Sequence, residues 1–205
     1  MNMEQTFTVL SRQQLLIDRA PHSVQFQDLT NSLLSVFSAA AVSPPMSALE
    51  IQLYTTLALL HDVGKRNIPS EILNKPGSLT KEEFEVMKTH TTQGCDLLGQ
   101  VPELRECEVF PAICDVCRHH HERWDGSGYP DGLEGCNIAP WVQVVGLADA
   151  FDALVHPRVY KPAFTQHQAK EMILTGACRA FDPLLLDCFS RHIGAICQAV
   201  YSSAD

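Results

Sequence analysis

Leu57-Ala58-Leu59-Leu60-His61-Asp62-Val63-Gly64-Lys65 sets an apolar run directly before a His-Asp pair. Apolar residues recur at helical spacing from Leu49 to Leu60, so the run is read as the last turns of a helix that delivers two ionisable side chains at its end. A buried carboxylate there needs a partner, and Gly64 is read as a point where the backbone loosens. His61 alone would read as a satisfied core histidine. Beside an aspartate, and with more His and Asp clusters downstream, it reads as a metal ligand.

Working outward, the same helical spacing recurs through Leu29 to Phe37, Phe84 to Leu98 and Ala169 to Leu174, while strand patterns are nearly absent. The expected fold is all-α, one helical bundle of six to eight helices. Breaks are expected at Ser43-Pro44-Pro45, Lys75-Pro76-Gly77, Trp124 to Gly135 and Phe181-Asp182-Pro183, with Ala39 to Ser47 as a short connection. Thr80 with Glu83 three residues on is a capping box that starts a helix running towards His90. The 205 residues suit one sizeable core better than two marginal halves.

Composition narrows the function. A net charge of −9 disfavours a general nucleic-acid binder, which gathers basic residues to displace counterions. No apolar stretch approaches the ~20 residues that span a bilayer. Met1 to Leu10 carries Glu4 and lacks a basic segment followed by an apolar one, so it does not read as a signal peptide and a cytoplasmic location is expected. The eight cysteines are scattered through a chain that can build its core without them, so reduced thiols are expected, with Cys114 and Cys117 buried and structural.

Downstream of the first pair stand His90, then His119-His120-His121-Glu122, then Asp149 in Ala148-Asp149-Ala150-Phe151-Asp152. A set of N and O donors without thiolate suits Fe, Mn, Mg or Zn in an open catalytic site rather than a closed structural zinc site. Two neighbouring ions can share a carboxylate, polarise a phosphoryl oxygen and acidify a water, which is the chemistry of phosphoester hydrolysis.

His61-Asp62-Val63-Gly64-Lys65 resembles the signature of the HD phosphohydrolase superfamily. His120-His121-Glu122-Arg123-Trp124-Asp125-Gly126-Ser127-Gly128-Tyr129-Pro130 resembles the extended motif of its HD-GYP branch, with the whole Gly-Tyr-Pro triplet present. The resemblance runs from about His22 to Phe189 and implies an HD-GYP domain at 22–200 behind an N-terminal extension at 1–21. It implies metal ligation by His22, His61, Asp62, His90, His120, His121 and Asp149, with Asp62 bridging two Fe or Mn ions. Some members add a third ion through an acidic residue one turn before the first histidine; here that position is Asp18. Pro21 makes a continuous helical turn from Asp18 to His22 costly, which leaves the third position open.

The same resemblance implies Lys65 and Asp62 as catalytic, and substrate contacts from Lys65, Gly128, Tyr129, Asp152, Arg158 and Lys161. Glu122 and Asp125 are expected to orient the imidazoles, and His119, His156, His167 and His192 to fill surface or core. The implied activity is hydrolysis of a cyclic dinucleotide, cyclic di-GMP to pGpG and onward to GMP. Alternatives are cyclic GMP-AMP as substrate, or a non-catalytic module that binds a cyclic dinucleotide or a protein. A homodimer or a signalling-protein partner stays open.

Overall fold

Most helices among the described residues begin where the sequence supplies a cap or a proline. A computed structural model describes residues 21–41, 45–157 and 162–201. Asp18, Arg158 and Lys161 lie outside the described residues, as does the side chain of His22. Helix α1 spans Pro21–Ala41 and α2 spans Ala48–Ala58, opened by a capping box between Ser47 and Glu50. A 3-10 turn, Val63–Asn67, carries the residues after the His-Asp pair, and the single-turn α3 is Ser70–Leu73.

Helix α4, Lys81–Lys88, starts at the expected Thr80–Glu83 capping box, and α5, His90–Gly99, follows after Thr89. The single-turn α6, Pro102–Arg105, leads to α7, Phe110–His119. After a long loop come α8 (Pro140–Val155), α9 (Gln166–Leu174), capped by Thr165 and Gln168, and α10 (Pro183–Tyr201). Pro140 and Pro183 each occupy a first-turn position, where a missing N–H is harmless.

The all-α expectation holds: no strand occurs among the described residues, and the only backbone pairing of that kind is the isolated bridge Asp125–Glu134. One boundary moves. Ala39 to Ala41 continue α1 instead of opening a connection, in keeping with the high helix propensity of alanine.

Helix α8 is the centre of the bundle. Every residue from Trp141 to Ala148 is buried, so its sequence is apolar all round instead of amphipathic. Helices α1, α2, α7, α9 and α10 surround this core, and Leu29, Leu33, Leu57, Leu147, Phe151 and Phe189 are almost fully buried within it. Helix α5 packs on the 3-10 turn from one side and on α7 from the other. The ends of α2 and α7 thereby reach the middle of α8, where His61 approaches Asp149 and the His120 carbonyl lies against Gly146, and α5 brings His90 to His120.

The cysteines correct an expectation. Cys95 on α5 and Cys114 on α7 form a disulfide, because the packing of the two helices brings together residues that lie 19 apart in sequence. Cys117 is a buried thiol as expected and donates to the carbonyl of Leu60 at 3.3 Å. Thiol titration of the denatured protein, purified without reductant, should count six reactive cysteines before reduction and eight after it. Eight before reduction would exclude the Cys95–Cys114 bond.

Candidate metal centre

His61 follows the end of α2, where helical carbonyl groups lack their usual partners. Its Nδ1 donates to the carbonyl of Ala58 at 2.7 Å. His90 makes the same contact with Met87 at the end of α4, also at 2.7 Å. His120, just past α7, turns Nδ1 to the carbonyls of Val116 and Cys117 at 2.9 and 3.1 Å. With Nδ1 carrying the proton, each ring keeps an Nε2 lone pair for a ligand.

Those Nε2 atoms converge. His90 Nε2 and His120 Nε2 are 3.3 Å apart, and Asp62 Oδ1 lies 3.4 Å from the first and 3.9 Å from the second. Asp62 Oδ2 is 3.3 Å from His61 Nε2, which is itself 3.8 Å from Asp149 Oδ1. His121 stands against His90 and His120 at ring distances of 5.1 and 4.1 Å. Two overlapping donor groups result, His90-His120-His121 and His61-Asp62-His120, each with ligand atoms within 4.8 Å of one another.

Asp62 Oδ1 is buried and has no hydrogen-bond partner among the described residues. A buried carboxylate oxygen surrounded by imidazole lone pairs fits a cation between them. The donor set therefore suits divalent ions, with Asp62 facing both groups.

The protonation pattern agrees. Burial opposes charge on His61, but Asp62 and Asp149 outweigh it and lift its pKa to about 10. Burial pushes His120 well below the usual histidine range and His121 to about 3, and it lowers His90 as well. Burial would raise Asp62, yet His61 and Lys65 hold it well below the usual carboxylate range; His61 does the same for Asp149 against the same opposition. In the metal-free chain the two carboxylates stay ionised and His90, His120 and His121 stay neutral, while the proton that Asp62 and Asp149 draw onto His61 Nε2 would have to leave before that atom could hold an ion.

Glycines allow the ligand-bearing segments to approach. A Cβ on Gly64 would lie 2.0 Å from the carbonyl oxygen of His90, and one on Gly146 would lie 2.5 Å from that of His120. Gly64 therefore serves close contact with α5, not loosening of the backbone as expected. A Cβ on Gly128 would meet Glu122 Cα at 2.4 Å, so this glycine lets the Gly-Tyr-Pro loop fold back on the segment after His121.

Glu122 and Asp125 also depart from expectation, since backbone carbonyls and not these carboxylates orient the imidazoles. Glu122 is buried and accepts from the N–H groups of Asp131, Gly132 and Leu133 at 2.7, 3.1 and 3.0 Å. Asp125 accepts from the N–H and hydroxyl of Ser127 at 3.1 and 2.6 Å. Both order the loop.

The remaining expected residues divide clearly. Lys65 is beside the centre, its Nζ 2.5 Å from Asp62 Oδ2. Tyr129, joined to Pro130 by a cis bond, lays its ring against that of His121 at 4.8 Å. Asp152 is buried and paired with His156 at 3.2 Å, so it is not brought to the centre. His119 bridges Asp115 and Asp131 at 2.6 and 2.9 Å, and His167 and His192 are exposed.

The profile of the HD domain family matches residues 11–185. The chain belongs to the HD domain family. Its His61-Asp62 pair and Gly128-Tyr129-Pro130 triplet place it in the HD-GYP branch. This HD domain is 39% identical over 170 residues to a cyclic di-GMP phosphodiesterase of Vibrio cholerae, covering 82% of this chain and 35% of that protein. It is 37% identical over 133 residues to 3'3'-cGAMP-specific phosphodiesterase 2 of the same organism, covering 65% of this chain and 25% of that one. A solved HDG"Y"P protein from Bdellovibrio bacteriovorus shares the fold, with a TM-score of 0.61 at 17% identity over 90% of this chain and 56% of that chain. The HD domain chain thus spans about a third or less of the length of these two curated relatives.

Gly64→Ala and Gly146→Ala should each lower the stability of the metal-free protein by ~3 kcal/mol or more, at or beyond the upper end for overpacking, because backbone and not a movable side chain is in the way. Urea unfolding of the two variants checks this. A change under ~0.5 kcal/mol would show that the helices can part without cost.

Proposed function

We propose that this chain is a metal-dependent phosphodiesterase that opens a cyclic dinucleotide, with cyclic di-GMP as the substrate and pGpG as the first product. The observation that carries the reading is the convergence of His90 and His120 Nε2 on a buried, unpartnered Asp62 Oδ1. His61, Asp62, His90, His120, His121 and Asp149 would hold two ions, Fe or Mn, and the sequence adds His22. Bound divalent ions polarise a phosphoryl oxygen and acidify water.

The chain's own groups do the rest. Asp62 shares its two oxygens between the donor groups, so it fixes the separation of what they hold. Lys65 is tethered to Asp62 Oδ2 with its side chain one-third exposed, so its ammonium can turn to a phosphate oxygen as that oxygen gains charge. Tyr129 closes one side of the centre by packing on His121. Hydrolysis breaks the bond from phosphorus to one 3′ oxygen, and water supplies the hydroxyl and the proton.

The name of the 37% identical Vibrio cholerae relative supports cyclic GMP-AMP as a second substrate. Incubation of the Mn- or Fe-reconstituted chain with both cyclic dinucleotides, followed by product identification, decides between them. Failure to open either one would overturn the proposal.

Elemental analysis after anaerobic reconstitution should find at least two ions per chain, and His120→Ala should fall below that. Lys65→Ala should keep its metal and lose turnover about 100-fold, equivalent to ~3 kcal/mol of barrier; wild-type turnover would remove Lys65 from the mechanism. For the third ion, Asp18→Ala should leave two ions bound and slow hydrolysis by less than about tenfold, ~1.4 kcal/mol. Loss of a full ion with collapse of activity in that variant would make the site trinuclear.

A further inference from the structure

Beside the metal centre lies an open cavity of about 380 Å³. It shares His121 and Tyr129 with the centre, and adds Phe84, Arg123, Cys178 and Arg179. Among the described residues no carboxylate lines it, although the chain as a whole carries a net charge of −9. Two guanidinium groups on one wall, without an acidic partner there, form a local site for an anion or an acceptor-rich edge. Phe84 and Tyr129 meet edge to face at 6.1 Å, and the Lys88 ammonium lies over both rings, 5.2 and 5.5 Å from their centroids, adding a third cation at the rim.

The two arginines differ in what holds them. Arg123 is buried over the ring of Phe181, and its Nη1 donates to the carbonyls of His120 and Glu122 at 3.2 and 2.7 Å. Its Nε is buried and has no hydrogen-bond partner among the described residues. Arg179 is exposed and donates from Nη1 to the carbonyl of Ser127, in the loop that carries Tyr129. It also lines the cavity.

Arg179 also has a φ of 71°, and is the only non-glycine residue among the described ones with a positive φ. An L residue is strained in that region, whereas glycine is not. The Gly176 turn and the hydrogen bond from the Trp124 N–H to the Ala180 carbonyl, 3.0 Å, hold the backbone there. A strained position occupied by arginine in a turn where glycine would fit better points to a use for the side chain.

We propose that Arg179 is a substrate-binding residue that grips the half of the cyclic dinucleotide not being cut, donating to a pair of acceptors on its phosphate or on the O6/N7 edge of its guanine. Phe84 and Tyr129 line the same cavity with the Lys88 ammonium over their rings, and Arg123 supplies fixed positive charge behind it. This inference rests on the phosphodiesterase reading above and deepens it, since it assigns the second nucleotide to a named cavity.

The test compares wild type with Arg179→Gly and Arg179→Lys by hydrolysis of cyclic di-GMP, equilibrium binding of the same compound, metal content and thermal melting. Arg179→Gly should raise KM and Kd on the order of 10-fold, the size expected for a charge-assisted hydrogen bond, while kcat stays within about threefold. Arg179→Lys should fall between, because it keeps the charge and loses the fork. Arg179→Gly should also melt at the wild-type temperature or above and keep its metal, a result that a merely structural arginine would not give. Competition by guanosine and by GMP separates the two acceptor sources: both weaken in Arg179→Gly if the guanine edge is gripped, and only GMP weakens if the phosphate is.

Hydrolysis by wild type with unchanged KM in both variants would overturn this inference and leave the catalytic reading standing. Arg179-dependent binding without hydrolysis would do the reverse. No binding of cyclic di-GMP by wild type would overturn the inference.

Discussion

Three imidazoles are fixed by one repeated contact, a hydrogen bond from Nδ1 to the carbonyl of a residue three or four positions earlier. The last carbonyls of a helix have no intrahelical donor, and a buried neutral imidazole needs an acceptor for its N–H. Placing His61, His90 and His120 one to three residues beyond the ends of α2, α4 and α7 meets both needs at once. It also fixes the tautomer, so that every ring presents Nε2 to the same space. Helix ends are therefore the structural basis of the centre, and the packing of those ends against one another and, for α2 and α7, against α8 decides whether the Nε2 atoms meet. Gly64 and Gly146 make that packing close enough.

The same arrangement sets the electrostatics. Asp62 and Asp149, half-buried side chains, face a space in which three of the four histidines resist protonation. In the metal-free chain the countercharges come from a protonated His61 and from Lys65, three residues after Asp62. Removing a partner from such a group costs far more than an exposed ion pair is worth, because an uncompensated charge would remain inside the protein. Stability and ligand geometry are thus set by the same few residues.

Much of this was legible in the sequence. The apolar run before His61-Asp62, the Thr80–Glu83 capping box and the His120-His121 pair identify an all-α chain with a His/Asp cluster, and each is local. What sequence spacing does not carry is the direction of a carboxylate or the partner of a thiol. Glu122 and Asp125 stand beside the histidines in sequence, yet they face loop N–H groups. Cys95 and Cys114 meet only because α5 packs on α7. Gly64 looks like a flexible joint because its actual constraint, the His90 carbonyl, lies 26 residues on. Arg179 belongs to none of the motifs read, and a positive φ at an arginine has no composition signal.

The loop from Glu122 to Gly135 ties these parts together. Glu122 gathers three N–H groups of the far side of the loop, Gly128 lets the near side fold onto Glu122, and Tyr129 then rests on His121. From outside, the turn after α9 holds the loop through Trp124 N–H to Ala180, Arg179 to Ser127 and Arg123 over Phe181. His121 and Tyr129 consequently face the metal centre on one side and the arginine-lined cavity on the other. A movement of this loop cannot displace one without the other, so under the proposed activity a single element would set both the position of the cut phosphate and that of the nucleotide beyond it. The Gly-Tyr-Pro segment is then a shared wall, and its geometry, more than any one contact it makes, would relate a substrate in the cavity to the His and Asp donors.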